Sequence, residues 1–346
     1  MGHWYYLGSL VGMGSAFACW LVLSILLGYK CRVLALDLPN QRSLHTHPTP
    51  KGGGIVIVGV IILASVSLMW CLSGMDGIFV ALAISALGFG AIGWWDDQRS
   101  LRIRNKLLIE FAVGAIVVWL IDLPRELQFS GLSISSLLPF LVVPIALLWI
   151  IWMTNLYNFM DGIDGLVASQ AVFSSIVIAG WFLLYGDVGM ALFCLAVAGA
   201  GIGFLVLNWS PARVFLGDVG SLTLGVVFAL LALHGVAKYQ MPVSAFLLLY
   251  GVFLFDATVT LGRRCLTGER WWEAHATHFY QRAVRSGVGH AQVSILALLG
   301  SGCLAVLGTL EMLGVGPGML WFPLGLILVM LMIVGVRRLE QRAIFQ

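Results

Sequence analysis

The chain has 346 residues, 60% of them hydrophobic and only 10% charged, against about 25% charged in an ordinary soluble domain. No polar shell could cover a globule of that composition. This excludes a soluble enzyme, a disordered chain and a disulfide-built secreted module, because apolar runs of about 20 residues recur from end to end with no polar block long enough to fold alone. The formal net charge of +3 is too small to indicate nucleic-acid binding, so the information lies in where the charges sit.

In chain order the apolar pattern predicts eleven helices, near 7–28, 54–73, 77–95, 107–121, 137–155, 165–185, 189–207, 220–237, 242–261, 291–311 and 318–336. A helix that crosses about 30 Å of hydrocarbon at about 1.5 Å per residue needs about 20 apolar residues, and these stretches approach or reach that length. The fourth is short and follows a charged loop, so ten spans with one re-entrant segment is the alternative. No Lys or Arg precedes Lys30, so the basic region of a signal peptide is missing and the first span is expected to be retained. Between the fourth and fifth spans, Leu127-Gln128-Phe129-Ser130-Gly131-Leu132-Ser133-Ile134 alternates apolar and polar residues around a glycine, which predicts a small hairpin on the outer face. The six cysteines are scattered singly, with no C-x-x-C, and are expected to be reduced packing residues.

Orientation follows from the basic residues. Seventeen of the nineteen Lys and Arg fall in alternate loops on one side of the predicted spans, and only Arg125 and Lys238 on the other. The positive-inside rule makes the first side cytoplasmic, with the N-terminus outside and the C-terminus inside. The expected fold is an all-α polytopic integral membrane protein with ten or eleven transmembrane helices.

Asp37, Asp96, Asp97, Asp161, Asp164, Asp218, Glu269 and Glu273 fall in loops on the same side, where five polar clusters meet: Pro48-Thr49-Pro50-Lys51-Gly52-Gly53-Gly54, Trp94-Trp95-Asp96-Asp97, Asn155 through Gly165, Asn208 through Ser221, and His275-Ala276-Thr277-His278. Adjacent carboxylates at Asp96 and Asp97 repel each other and call for a counter-charge. A divalent cation suits them, and so does a solvated helix end balanced by Arg99, Arg102 and Arg104. Asp161 and Asp164 are three apart and would share a face of a helix, either at a ligand or as polar capping residues. In Gly217-Asp218-Val219-Gly220-Ser221 the pattern suits a bare helix N-terminus facing phosphate, or a plain glycine turn. His275 and His278 share a helical face by spacing, as a functional pair or an ordinary surface feature. The Gly52-Gly53-Gly54 run lacks the P-loop pattern and is read as a phosphate cradle or a flexible start to a helix. Asp256, seven residues before Arg263, is read as its ion-pair partner or as a lipid-phosphate or substrate contact.

Taken together, these clusters resemble the polyprenyl-phosphate N-acetylhexosamine-1-phosphate transferase family, whose relatives include the phospho-MurNAc-pentapeptide translocases. The likeness follows motif order from Arg42 and the Pro-Thr-Pro-Lys-Gly-Gly-Gly segment, through Trp95-Asp96-Asp97 and Asn158-Phe159-Met160-Asp161-Gly162-Ile163-Asp164-Gly165, to Phe215-Leu216-Gly217-Asp218-Val219-Gly220-Ser221 and the His275/His278 loop. The last cluster departs from the consecutive histidines of the translocases and from the His-x-His-His of relatives using N-acetylglucosamine phosphate. It looks more like the O-antigen-initiating branch.

The resemblance implies a single transferase domain over 1–346, with a catalytic face built from cytoplasmic loops near 31–53, 96–106, 156–164, 208–219 and 262–290. It implies transfer of an N-acetylhexosamine-1-phosphate from a UDP-N-acetylhexosamine donor to undecaprenyl phosphate, at the cytoplasmic face of a bacterial inner membrane. Asp96, Asp97 and Asp218 are the implied catalytic residues, with Mg2+ (Mn2+ as the alternative) on Asp218 and Asp97. Lys51, Asn158, Asp161, Asp164, Asn208, His275, His278 and Arg282 are the implied substrate-binding residues. The expected partners are membrane lipid and the two substrates, with a homodimer as an open option and no nucleic acid. A secondary transporter would place its ionisable groups near the midplane in two repeated halves, and a lipid-diphosphate phosphatase would use water where the transferase uses a lipid; these are the competing readings.

Overall fold

The computed structural model describes residues 2–344 apart from 30, 32, 40–43, 46, 73–76, 136–138 and 270–275. Every predicted apolar stretch contains helix among its described residues. In chain order α1 is Gly2–Gly28, β1 Ala35–Asp37, β2 Thr49–Lys51, α2 Ile55–Cys71, α3 Gly77–Gln98, α4 Ile103–Leu120, β3 Glu126–Phe129, β4 Leu132–Ser135, α5 Pro139–Met160, α6 Leu166–Leu184, α7 Val188–Asn208 and α8 Gly217–Tyr239. The chain continues through α9 (Val243–Leu249), α10 (Gly251–Leu266), α11 (Phe279–Arg285), α12 (His290–Met312) and α13 (Gly318–Ile344). Among the described residues eight helices are long and apolar enough to cross a membrane, or nine if α9 and α10 are one broken span. The protein is a polytopic membrane protein. Of the other two predicted spans, α2 has 17 residues, and α4 starts among Arg104 and Lys106 with Glu110 one turn further on.

Three features differ from the sequence expectation. The predicted continuous span at 242–261 is bent by 81° between α9 and α10. A bend in an apolar medium frees backbone carbonyls that need partners from the protein. Gln170 on α6 supplies one, donating through Nε2 to Leu249 O at 3.3 Å while its Oε1 accepts from Ser301 at 2.8 Å. The short antiparallel pair β1–β2, with Leu36 opposite Pro50, is unforeseen, because strands of three residues leave almost no period in a sequence. The third is α13, which runs eight residues beyond its predicted end.

The predicted hairpin is present. β3 and β4 form the hairpin, with Gln128 opposite Ser133, and Ser130 and Gly131 both have positive φ (49° and 76°), the geometry of a tight two-residue hairpin turn. The six cysteines are free, but only Cys19 and Cys194 are buried packing residues, while Cys71, Cys265 and Cys303 are exposed. At the centre stands α8, whose whole membrane-length window is buried inside the protein; it packs chiefly on α3 and α5, with α2 and α6 beside them. On the flank α1 lies along α7 through small residues: a side chain at Gly199 or Gly203 would collide with the backbone of Gly12 or Ala16. This is the small-residue spacing that lets membrane helices approach closely.

Candidate active site

The helices alternate in direction, so the C-terminus of α3 and the N-termini of α2, α4 and α8 all lie at one end of the bundle, and the glycines there determine how closely they meet. Gly53 N–H donates to Phe215 O and Gly54 N–H to Leu216 O, both at 3.0 Å, while Phe215 N–H donates to Pro50 O at 2.8 Å. The segment after β2 thus runs alongside residues 215–216 as a short parallel bridge. A Cβ on Gly54 would collide with the backbone of Gly220, and one on Gly93 with the backbone of Asp218. The glycine run is therefore neither a flexible lead-in nor shown to be a phosphate cradle. It is a backbone contact that sets Lys51 and Asp97 against Asp218.

Asp97 has a side chain 1% exposed and accepts the N–H of Asp218 at 2.9 Å and of Val219 at 3.1 Å. It is the acid that caps α8, where its charge also complements the positive end of the helix dipole. The expectation of a bare helix N-terminus is thereby corrected, since two of its N–H groups are already matched to a carboxylate. Lys51 Nζ lies 2.9 Å from Asp97 Oδ1 and 3.6 Å from Asp218 Oδ1. Burial works to lower the Lys51 pKa, but the Asp218 and Asp97 carboxylates outweigh it and hold the ammonium above its ordinary value.

On the other side of Asp218, Lys106 Nζ is 2.5 Å from its Oδ2 and 2.8 Å from Asp96 Oδ2. Asp96 Oδ1 also accepts from Leu101 N–H at 2.6 Å. The result is a chain of alternating charge: Asp96, Lys106, Asp218, Lys51, Asp97. Three carboxylates and two ammonium groups leave one net negative charge in a half-buried site. Asp218 belongs to the first turn of α8, not to a wet loop. Lys106 was missed as a site residue because its neighbours Arg102 and Arg104 made it look like one more basic loop residue; that it begins an apolar helix was the available signal.

Asp161 and Asp164 do not share a helix face, because the chain leaves α5 at Met160 and turns through Gly165, at φ +74°, into α6. Burial, followed by the charge of Asp218, pushes the Asp161 carboxyl up to about 8, with Lys51 opposing. Asp164 is turned elsewhere, accepting from Ala212 N–H at 3.2 Å and lying 3.4 Å from His290 Nδ1. Against its own burial, those partners hold its carboxyl below the ordinary range. Asn208 is buried with both ends of its amide engaged, Oδ1 by Gly165 N–H at 3.1 Å and Nδ2 by Val214 O at 2.9 Å. Asn158 donates to Ser221 Oγ at 3.1 Å, one turn into α8.

The last motif divides. His275, like Arg42 and Arg270, lies outside the described residues. His278 is extended (φ −62°, ψ 151°) at the N-cap of α11, so spacing on a helix does not pair it with His275. It is 2% exposed, with Nδ1 3.0 Å from Asp256 Oδ1. Asp256 is turned toward α11 rather than along α10 to Arg263, accepting from Phe279 and Tyr280 N–H at 2.9 and 3.0 Å. Tyr280, which sequence reasoning passed over, packs against Gly162 and donates to Phe159 O at 2.9 Å. Arg282 forms a two-pronged pair with Glu340 of α13.

Of the expected Mg2+ ligands Asp218 and Asp97, Asp97 is already engaged by two N–H groups and Lys51, so the hard carboxylate oxygens paired with Asp218 through Lys106 are those of Asp96; Mg2+ usually binds one or two carboxylates and fills its octahedron with water and phosphate oxygen. Among the described residues no group of three or more His, Cys, Asp or Glu is arranged to hold a metal. The residues present fit the ion.

Residues 79–236, from α3 to the end of α8, match the profile of glycosyl transferase family 4. The chain is 30% identical over 282 residues to a Bacillus subtilis protein named "Probable undecaprenyl-phosphate N-acetylglucosaminyl 1-phosphate transferase", an alignment covering 77% of this chain and 74% of that one. The chain belongs to glycosyl transferase family 4. Two further relatives carry the name phospho-N-acetylmuramoyl-pentapeptide-transferase. The one from Lactiplantibacillus plantarum is 33% identical over 52% of this chain and 60% of its own; the one from Halalkalibacterium halodurans is 33% identical over 60% and 66%. The family match spans Asp96, Asp97, Lys106, Asn158, Asp161, Asp164, Asn208 and Asp218, so all of the alternating-charge chain except Lys51 falls inside it.

Proposed function

We propose that this family 4 protein moves an N-acetylhexosamine-1-phosphate, or a 6-deoxy analogue, from a UDP-sugar to undecaprenyl phosphate, in the synthesis of O-antigen or a related envelope glycan. The observation that carries the reading is the charge chain from Asp96 to Asp97 at one end of the bundle, together with the names of the relatives. The sequence segregation of seventeen of the nineteen basic residues to one side of the predicted spans, Lys51 and Lys106 among them, supports reading that end as the cytoplasmic face, and the bacterial relatives support a plasma-membrane location.

In the proposed step an oxygen of the acceptor phosphate attacks the sugar-bearing phosphorus of the donor. The bond from that phosphorus to the bridging oxygen breaks, and UMP leaves with the electron pair. A phosphate monoester has its second pKa near 6, so the acceptor is largely dianionic at neutral pH and needs no strong base. Lys51 and Lys106 offset the negative charge that gathers as two phosphate-bearing molecules meet. Asp218 and Asp96 are the residues that would hold Mg2+, and the chemistry it would supply there is neutralisation of diphosphate charge. Asp97 keeps the N-terminus of α8 in place beneath them. Tyr280 and the 161–165 turn border the donor side, with Asn158 and Asp161 as its polar contacts.

The test is to incubate purified protein with several UDP-sugars, undecaprenyl phosphate and Mg2+ and to identify the products. A lipid-diphosphate sugar with equimolar UMP supports the proposal; inorganic phosphate in place of UMP would make the protein a phosphatase and overturn it. One phosphoanhydride replaces another, so labelled UMP should enter UDP-sugar only when the lipid is present. Equal exchange without lipid would replace direct attack by a covalent enzyme intermediate.

A further inference from the structure

Beyond the charge chain, a second polar cavity opens at the same end of the bundle, between α10, α11 and α13. Its volume is about 520 Å³, and Arg263, Arg282 and Arg285 line it together with Thr277, Ser286 and Glu340. Glu340 is matched by Arg282. Arg263 and Arg285 are exposed and have no acidic partner among the described residues, so the cavity keeps two positive charges for a ligand.

This cavity is separate from the proposed reaction centre. Tyr280 and Arg282 are two residues apart on α11, about 200° around a helix that turns about 100° per residue. Tyr280 faces Phe159 and Gly162, beside the 161–165 turn, whereas Arg282 faces α13. The body of α11, fixed by Asp256 and His278, stands between them.

Directly beside the arginines runs an apolar groove, lined by Val329, Met332, Ile333 and Val336 of α13, Leu296 of α12 and Phe255 of α10, with Tyr280 and Met160 also on its wall, so that the groove, unlike the cup, reaches α11's other face. Phe279 lines the groove and its ring lies 5.0 Å from the guanidinium of Arg282, which lines the cup, so the two cavities are neighbours across this pair. Arg337 and Arg338 add exposed positive charge where α13 leaves its apolar stretch. A cationic cup at the level where apolar helices end, opening onto an apolar groove between those helices, matches an anionic headgroup with an attached acyl chain.

We propose that this cup and groove bind an anionic glycerophospholipid, its phosphodiester between Arg263 and Arg285 and one acyl chain along α13, as a resident lipid distinct from the substrates. The phosphodiester is recognised by paired guanidinium donors, and the lipid seals α13 onto α10 and α12.

The test uses full-length protein, delipidated in neutral detergent, with binding read by native mass spectrometry and by thermal shift. Dioleoyl phosphatidylglycerol should bind saturably and raise the melting temperature, and dioleoyl phosphatidylcholine should do neither. The double variant Arg263→Gln/Arg285→Gln should bind phosphatidylglycerol about thirty-fold more weakly, from about 1 kcal/mol per basic residue near the membrane surface and about 1.4 kcal/mol per tenfold. Wild-type selectivity between the two lipids tests the same site without any substitution. Equal binding of both lipids by the wild type overturns the proposal. Glycerol phosphate giving the full thermal shift would show a free-phosphate site without a chain, and undecaprenyl phosphate displacing phosphatidylglycerol at equal concentration would make the groove the acceptor's own; either result overturns it. Because every readout is binding, failure of the proposed transferase reaction leaves the test intact.

Discussion

Replacing Asp97 by Asn separates a structural acid from a chemical one. The carboxylate makes three contacts: two backbone N–H groups of α8 at 2.9 and 3.1 Å, and Lys51 Nζ at 2.9 Å. An amide keeps one acceptor, so one N–H at the buried start of α8 loses its partner. Hydrogen bonds to charged groups contribute about 1.5–3 kcal/mol, and an acid in the first turn adds about 0.3–1 kcal/mol through the helix dipole. The loss comes to about 2–4 kcal/mol. At about 2 °C per kcal/mol for a large domain, Asp97→Asn should melt about 4–8 °C below wild type in detergent, followed by intrinsic tryptophan fluorescence with no substrate present. Asp96→Asn is the comparison: its Oδ1 accepts from a loop N–H and its Oδ2 from Lys106, so it should melt closer to wild type and lose more of its activity than of its stability. An Asp97→Asn protein that melts within 1 °C of wild type, on this scale of about 2 °C per kcal/mol, would refute the assignment of Asp97 as the cap of α8.

Lys106→Gln should reduce turnover at least tenfold, about 1.4 kcal/mol of transition-state stabilisation, and at the same time lower the Mg2+ concentration for half-maximal activity, because Asp96 and Asp218 lose the ammonium they share. An unchanged Mg2+ titration would show that the ion binds elsewhere. Gly54→Ala should impair folding or move α2 off α8, since the new methyl meets the Gly220 backbone; wild-type melting and activity would contradict the close approach. At the opposite end, Asp187 accepts from Met190 N–H and from the Tyr239 hydroxyl. Although burial opposes it, those bonds and the neighbouring His234 hold its carboxyl down at about 2. A lowered acid stabilises the fold fully above its unfolded pKa and progressively less as the pH falls through its folded one. Asp187→Ala should therefore lose about 1–2 kcal/mol at neutral pH, and the gap to wild type should close as the pH falls from about 4 toward 2; a gap independent of pH would point to packing instead.

The sequence makes legible what is local and periodic. Hydrophobic runs located the long apolar helices, though not the short α11, and the alternation around Gly131 located the hairpin, because both depend on residues a few positions apart. The order of the Asp-bearing motifs pointed to the family that the comparisons show. What escaped depends on distant partners. The bend at Tyr250 is invisible in an apolar run because Gln170, which satisfies Leu249 O, is 79 residues away. Lys106 reaches Asp218 across 112 positions, and Asp97 takes its capping role from a helix that begins 120 residues later. Asp161 and Asp164 misled through their spacing: three apart suggests one helix face, but the positive φ of Gly165 ends that pattern.

The burial of α8 also bears on biogenesis. Its principal neighbours, α2, α3, α5 and α6, all precede it in the chain, as do Lys51, Asp96, Asp97 and Lys106, which meet at Asp218. A ribosome making this protein has therefore delivered every member of the charge chain by the time α8 emerges, before α9 through α13 exist. The growing chain has reason to hold α8 early: Asp218 at its start would face hydrocarbon without a counter-charge unless Lys51 and Lys106 were already waiting, and only there does a helix with no lipid-facing side find its surroundings complete. The later helices then close around a finished centre, adding the broken span and the α11 wedge, so a substitution in them should leave nascent assembly of the carboxylate end untouched while one at Gly93 or Gly54 stalls it.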